Sequence, residues 1–103
     1  MSRTIKNLTE LNGVVYVYLS DSATGKRFLE DAEKEGFTFG DGAKPTSRDY
    51  AMVMAVHPDN TLNYVGAVGN AAFHMADKIG DKVLYRIDYA AYIAGADNYY
   101  YSK

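Results

Sequence analysis

The sequence predicts an α+β fold: a single mainly antiparallel sheet with two helices packed on it, in the order strand, helix, hairpin, helix, strand. Three observations predict it. The runs "GVVYVYLSD", "YAMVMAVHPDNTLNYVGAV" and "KVLYRIDY" alternate around β-branched and aromatic residues, the pattern of strands. Two intervening segments, "SDSATGKRFLEDAEKEG" and "GNAAFHMADKIG", place apolar residues at helical spacing. A chain of 103 residues suffices for one core and not for two. One domain over residues 1–103 is therefore expected, with the helices on one face of the sheet. Ferredoxin-like topology is one arrangement that satisfies the order.

Taken along the chain, β-branched and aromatic residues put the first strand at 14–19. The first helix, 23–35, has Ser and Asp available as caps, turns Phe28, Leu29 and Ala32 to one face, and stops at Gly36. Its other face carries Glu30 and Lys34 at i,i+4, as a solvated face does. Strands at 51–57 and 61–66 flank "HPDN", a turn in which proline presets φ. A second helix, 70–79, takes Asn70 as its cap, Ala72, Met75, Ala76 and Ile79 as its apolar stripe, and Gly80 as its stop. A strand at 82–88 leads into a brief helix in "DYAAYIAG", capped by Asp88 and closed by Gly95. Phe28, Leu29, Met75 and Ile79 are the expected core contacts between helices and sheet. The tail Tyr99 to Tyr101 should be docked, because three adjacent tyrosines in water would expose apolar surface for no gain.

Composition excludes several function classes. The formal net charge is -2 and the pI ≈ 5.6, which argues against general nucleic-acid binding, where many phosphates must be neutralised. Without cysteine there are no disulfides, thiolate metal sites or thiol nucleophiles, which suits a reducing cytoplasm. "MSRTIKNLTELNG" has no apolar core of signal-peptide length, and no segment approaches the roughly 20 apolar residues of a membrane span. A cytoplasmic protein without membrane partners is expected.

No motif points to a cofactor or a reaction. "SATGKR" lacks the glycines and the GK[ST] of a phosphate-binding P-loop and reads as a helix start. His57 and His74 match no metal-ligand spacing. No GxSxG elbow supports a Ser-His-Asp set, and Asp41, Asp49, Asp59 and Asp81 lie at turn-like positions where Asp is common. A non-enzyme is the expectation.

The segment "FTFGDGAKPTSRDY" stands apart. Its glycines allow backbone amides to converge, its proline stiffens the loop, and Lys44, Ser47 and Arg48 can donate to an anion, with Tyr50 available to stack on a base. In "VLYRIDY", Arg86 lies between Tyr85 and Asp88. It either forms a structural ion pair or points with the loop into a shared cleft. Lys44, Ser47, Arg48, Tyr50, Tyr85 and Arg86 are thus the candidate ligand-binding set.

The stretches "GKRFLEDAEKEGFTFGDGAKPTSRDY", "VHPDNTLNYVGAVGNAAF" and "YRIDYAAYIAGADNYY" resemble a group of small, mostly uncharacterised proteins from phages and prophages of Gram-positive gut bacteria. The resemblance implies a context, not a site: such proteins are often non-enzymatic inhibitors of bacterial immunity, among them anti-CRISPR proteins and sponges for nucleotide signals. It implies a phage-encoded binding protein, acting in the host cytoplasm, that inhibits antiviral defence by sequestering an anionic nucleotide signal. The alternative is a protein–protein inhibitor of a defence enzyme, using the Tyr-rich tail and exposed strand edges. The partner is then a small nucleotide ligand or a host defence protein, with a homo-oligomer as a further option.

Overall fold

In the computed structural model, which describes residues 3–101, the alternating segments form strands β1 (Val14–Tyr18), β3 (Val53–His57), β4 (Thr61–Tyr64) and β6 (Lys82–Asp88). Two-residue strands β2 (Thr38–Phe39) and β5 (Lys78–Ile79) complete one sheet in the order β2-β4-β3-β1-β6-β5. The sheet is mixed, not mainly antiparallel: β1 runs parallel to β6 and β2 parallel to β4, while the remaining pairs are antiparallel. Alternation shows which residues share a face but not the direction of a strand. The long stretch between β1 and β6 allows a crossover, which parallel neighbours require. Among the described residues the four α-helices are α1 (Ile5–Leu8), α2 (Ser22–Lys34), α3 (Gly66–Met75) and α4 (Tyr89–Ile93), so the expected five-element order omits several elements.

The main core lies on one face. Val15 and Val17 of β1, Met54 and Val56 of β3, Leu62 of β4 and Ile87 of β6 meet Phe28, Leu29 and Ala32 of α2, with Ile5 and Leu8 of α1 alongside. Helix α2 starts where expected, because the Asp21 carboxylate accepts from the Thr24 amide at 2.8 Å. That bond holds the Asp21 carboxyl below its usual range. Gly25, inside α2, costs helix propensity, yet any Cβ there would collide with the ring of Tyr50. The β3–β4 loop is a three-residue turn ending in Asn60 at φ 67, the left-handed residue that such hairpins use.

Helix α3 crosses the opposite face, which corrects the expectation that the helices share one face. Register pairs Tyr16 with Arg86 and Tyr18 with Asp88, so these side chains point away from the core of Val15, Val17 and Ile87. There Phe73 of α3 lies 6.0 Å from the Tyr18 ring. The helix covers residues 66–75, not 70–79. Gly80, at φ 63, is the first residue of a two-residue turn joining β5 to β6, not a helix stop. Asn70 is no cap either: it bonds back to the Gly66 carbonyl at 2.8 Å from within the helix. Phe73 and Gly69 face inward, while Met75 is 80% exposed and Ile79 only half-buried, so the expected core positions of Met75 and Ile79 do not hold.

The tail is docked as expected. The Tyr99 carbonyl accepts from the Asp88 amide and the Tyr101 amide donates to the Arg86 carbonyl, at 2.7 and 2.9 Å, extending the pairing of β6. Tyr101 stacks near Tyr18 and Phe73, while Tyr99 and Tyr100 join Tyr92 and Tyr85. The packing makes opposite predictions for two apolar side chains. Phe28→Ala should lower unfolding stability by about 3–5 kcal/mol, because Phe28 is fully buried against the Tyr89 edge. Met75→Ala should change it by less than about 0.5 kcal/mol. Urea denaturation of both variants checks the assignment, and equal losses would refute it.

Candidate anion-binding site

The six residues singled out from the sequence do not form one site. Lys44 precedes a 3-10 turn over Pro45–Ser47, and the Ser47 hydroxyl donates back to the Lys44 carbonyl at 2.6 Å. Arg48 and Tyr50 do share a cleft, of about 310 Å3, with Lys26, Leu29, Glu30, Thr46 and Asp49. Arg48 is already engaged, since its Nη2 lies 2.5 Å from Asp41 and its guanidinium sits over the Phe39 ring. The pair holds the Asp41 carboxyl below its usual range and raises Arg48 above its own.

Arg86 makes neither the expected ion pair nor a shared cleft with the loop. It is buried beneath α3, where its guanidinium donates to the Ala72, Phe73 and Ala76 carbonyls. The Ala72 carbonyl also accepts from the Ala76 amide at 2.8 Å, but those of Phe73 and Ala76 lie at the helix C-terminus, which lacks intrahelical donors, so Arg86 closes α3 from the sheet. Asp88 instead caps α4 through the Ala91 amide. Tyr85, one residue before Arg86, faces the main core and neighbours Tyr100. Three strands separate β6 from β2, over which Arg48 sits, a distance of roughly 19 Å at normal strand spacing. Arg48 and Arg86 therefore do not converge within the chain.

A larger cleft, about 410 Å3, gathers three other cations: Arg3 from the N-terminal segment, and Arg27 and Lys34 from α2. Asp31, Glu35, Tyr92, Ile93 and Gly95 complete its lining. Both carboxylates are occupied. Asp31 accepts from Arg27 Nε, 3.1 Å from Oδ1 and 3.0 Å from Oδ2, and from the Tyr89 hydroxyl at 2.6 Å. Glu35 accepts from the Ile5 and Lys6 amides, each at 2.9 Å, capping α1 from thirty residues away.

The arginines are held in ways that leave donors over. Arg3 uses Nη1 for the Tyr92 and Ala96 carbonyls, at 3.1 and 2.8 Å, while its planar group lies over the Tyr92 and Tyr99 rings. Arg27 engages Asp31 through Nε, and its two terminal nitrogens meet no acceptor among the described residues. Lys34, exposed at the rim, has no hydrogen-bond or ion-pair partner among the described residues. Oriented guanidinium edges beside a free ammonium suit an anion such as phosphate or carboxylate. Helical spacing alone could have placed Arg27, Asp31 and Lys34 on one flank of α2. Nothing in the sequence joins Arg3 to Tyr92.

The tyrosines beneath the cleft are neutral donors. Burial, and secondarily the bond to Asp31, raises Tyr89 far above the ordinary phenol range, and burial with the neighbouring Tyr99 pushes Tyr92 up to about 12. The Tyr92 hydroxyl donates to the Thr4 carbonyl at 2.7 Å. Among the described residues no cluster of His, Asp and Glu could hold a metal ion, and no helix is long and apolar enough to cross a membrane.

Two predictions follow from these contacts. The native state binds the phenolic protons more tightly than the unfolded chain, whose phenols titrate near 10. Tyr92 stabilisation should thus be complete below about pH 10 and lost as pH rises through about 12. Thermal midpoints across that range should fall less steeply in Tyr92→Phe. Arg86→Ala should strand the α3 carbonyls and cost about 1.5–3 kcal/mol. Hydrogen exchange should then accelerate in α3 before α2, and uniform acceleration would deny Arg86 its capping role. No protein-family model matches the chain, and no curated protein or solved structure does either.

Proposed function

We propose that the protein is a non-enzymatic binding protein that sequesters a small anionic ligand, a nucleotide signal of bacterial antiviral defence, in the Arg3–Arg27–Lys34 cleft. One observation carries the reading: three cations, one from the N-terminal segment and two from α2, line one cleft whose two carboxylates already have partners. Its volume falls within the range of small-molecule pockets. Phosphate oxygens would meet the Arg27 terminal nitrogens and the Lys34 ammonium, while Ile93 and the Tyr92 edge offer apolar wall to a base. Holding a messenger below the threshold of its effector needs affinity and abundance and no turnover. The nucleotide and the phage setting come from the resemblance noted in the sequence; the anion preference comes from the cleft.

A second reading, inhibition of a defence protein by direct contact, is favoured by the outer surface of α3, where Val68 is 86% and Met75 80% exposed. The helix carries no Asp, Glu, Lys or Arg, so it would suit an apolar partner surface.

The two readings separate in one experiment. The protein is incubated with a nucleotide library and with defence-active lysate, washed, denatured, and its released small molecules identified by mass spectrometry. Recovery of an intact nucleotide from the wild type and not from Lys34→Ala is expected, with the loss corresponding to about tenfold or more in affinity for one charge-assisted bond. Because Lys34 has no partner to lose among the described residues, the variant should melt like the wild type. Recovery of a protein alone would favour the second reading. Release of a chemically altered nucleotide would refute a non-enzymatic role.

A further inference from the structure

We infer that Tyr89 is a positioning residue for this cleft: by locking the Asp31 carboxylate onto Arg27, it keeps Lys34 un-neutralised and available to a phosphate. The inference rests on the anion-binding reading above. Asp31 and Lys34 are three residues apart on α2, the spacing at which an acid and a base on one helix surface meet. An unrestrained Asp31 would be the natural partner of Lys34. It is restrained from two sides. Arg27 Nε spans both carboxylate oxygens, and the Tyr89 hydroxyl donates to Oδ2 at 2.6 Å from a side chain only 2% exposed.

Tyr89 is itself packed on all sides that the described residues show. Its ring meets Phe28 edge-on at 5.1 Å and lies 6.2 Å from the Tyr92 ring, and it begins α4, whose Asp88 cap fixes the backbone. The hydroxyl therefore reaches Asp31 from a rigid base, whereas Arg27 is a half-exposed side chain that cannot fix the carboxylate alone. Of the other acids near Lys34, Glu35 is bound to the start of α1 and Glu33 to Thr46, while Glu30, four residues before Lys34, lines the second cleft and has no hydrogen-bond partner among the described residues. Phenylalanine at 89 would keep the ring packing and remove only the donor, so this position would determine how much positive charge the cleft presents.

The test titrates inorganic phosphate and AMP into the isotope-labelled full chain and reads affinity by NMR. Tyr89→Phe should weaken both by about two- to fivefold, the size of a surface ion-pair interaction. Adding Asp31→Asn should restore them, since an amide cannot neutralise Lys34; a purely structural role for Tyr89 would not be rescued in this way. Unchanged affinity in Tyr89→Phe, with a loss in Lys34→Ala, would overturn the positioning role and leave the anion site standing. No binding by the wild type, or no loss in either variant, would overturn both. Should Tyr89→Phe fail to fold, the wild type decides. Its Asp31 carboxyl carbon should hold its resonance while phosphate shifts the Lys34 signals, and movement of both together would show that Asp31 had been pairing with Lys34.

Discussion

The parallel pairing of β1 with β6 is the constraint from which the remaining arrangement follows. It matches five residues of each strand, Val14 with Leu84 through Tyr18 with Asp88. Two parallel neighbours cannot be joined by a tight turn, so everything between them belongs to the crossover: α2, β2, the 3-10 turn over Pro45–Ser47, the β3–β4 hairpin, α3 and β5. Alternation along β6 then sends Tyr85 and Ile87 into the main core and Arg86 to the other face, beneath α3. Where β6 ends, Asp88 starts α4 directly, and the first residue of α4 places its hydroxyl on Asp31 of α2. The cleft thus lies where one flank of α2, the last helix and the N-terminal segment meet.

Charge available to a ligand differs from charge present, and the arginines divide on this point. Arg86 is consumed by the last carbonyls of α3, of which those of Phe73 and Ala76 lack an intrahelical donor, and Arg48 by Asp41. Arg3 and Arg27 are also bonded, but through Nη1 and Nε respectively, so the protein orients each group without exhausting it. Orientation in advance matters because arginine side chains lose substantial freedom on binding, and freedom already removed by folding is not lost again.

Much of the fold was legible in the sequence. Strand β1, helix α2, the β3–β4 hairpin and β6 each combine a periodic run with local caps or turn residues, so local and tertiary preferences agree. Helix α4 was legible for the same reason, through Asp88 and Gly95. Helix α3 was misplaced because "GAVGNAAFHMADKIG" is apolar enough to suit several registers, and Gly80 serves a strand turn as readily as a helix stop. Strand direction leaves no trace in alternation, so the mixed sheet was hidden. The site was less legible still. Arg48 and Tyr50 do share a cleft, but Arg27 and Lys34 have a spacing that looks like any solvated helix face. Arg3 meets the Tyr92 carbonyl across 89 positions, a separation that no local pattern reports.

The abundance of tyrosine acquires a physical reason once the hydroxyls are traced. On the core face, rings run from Phe28 through Tyr89, Tyr92, Tyr99 and Tyr100 to Tyr85, with centroids 4.9–6.4 Å apart. Phenylalanine could supply that packing but not the polar ends. Tyr89 reaches Asp31, Tyr92 reaches the Thr4 carbonyl, and Tyr64 reaches the Asp49 carbonyl. Each bond ties a separate segment to the sheet or to α4: the helix wall of the cleft, the N-terminal segment bearing Arg3, and the loop bearing Arg48. In a chain with no cysteine and no metal cluster among its described residues, the hydroxyls act as cross-links between segments that local structure leaves independent. Arg3 follows the same logic from the other side, because its guanidinium binds the end of α4 while its face lies on two of those rings. The residues that stabilise the fold at this corner are therefore those that shape the cleft, and any change that loosens one must alter the other.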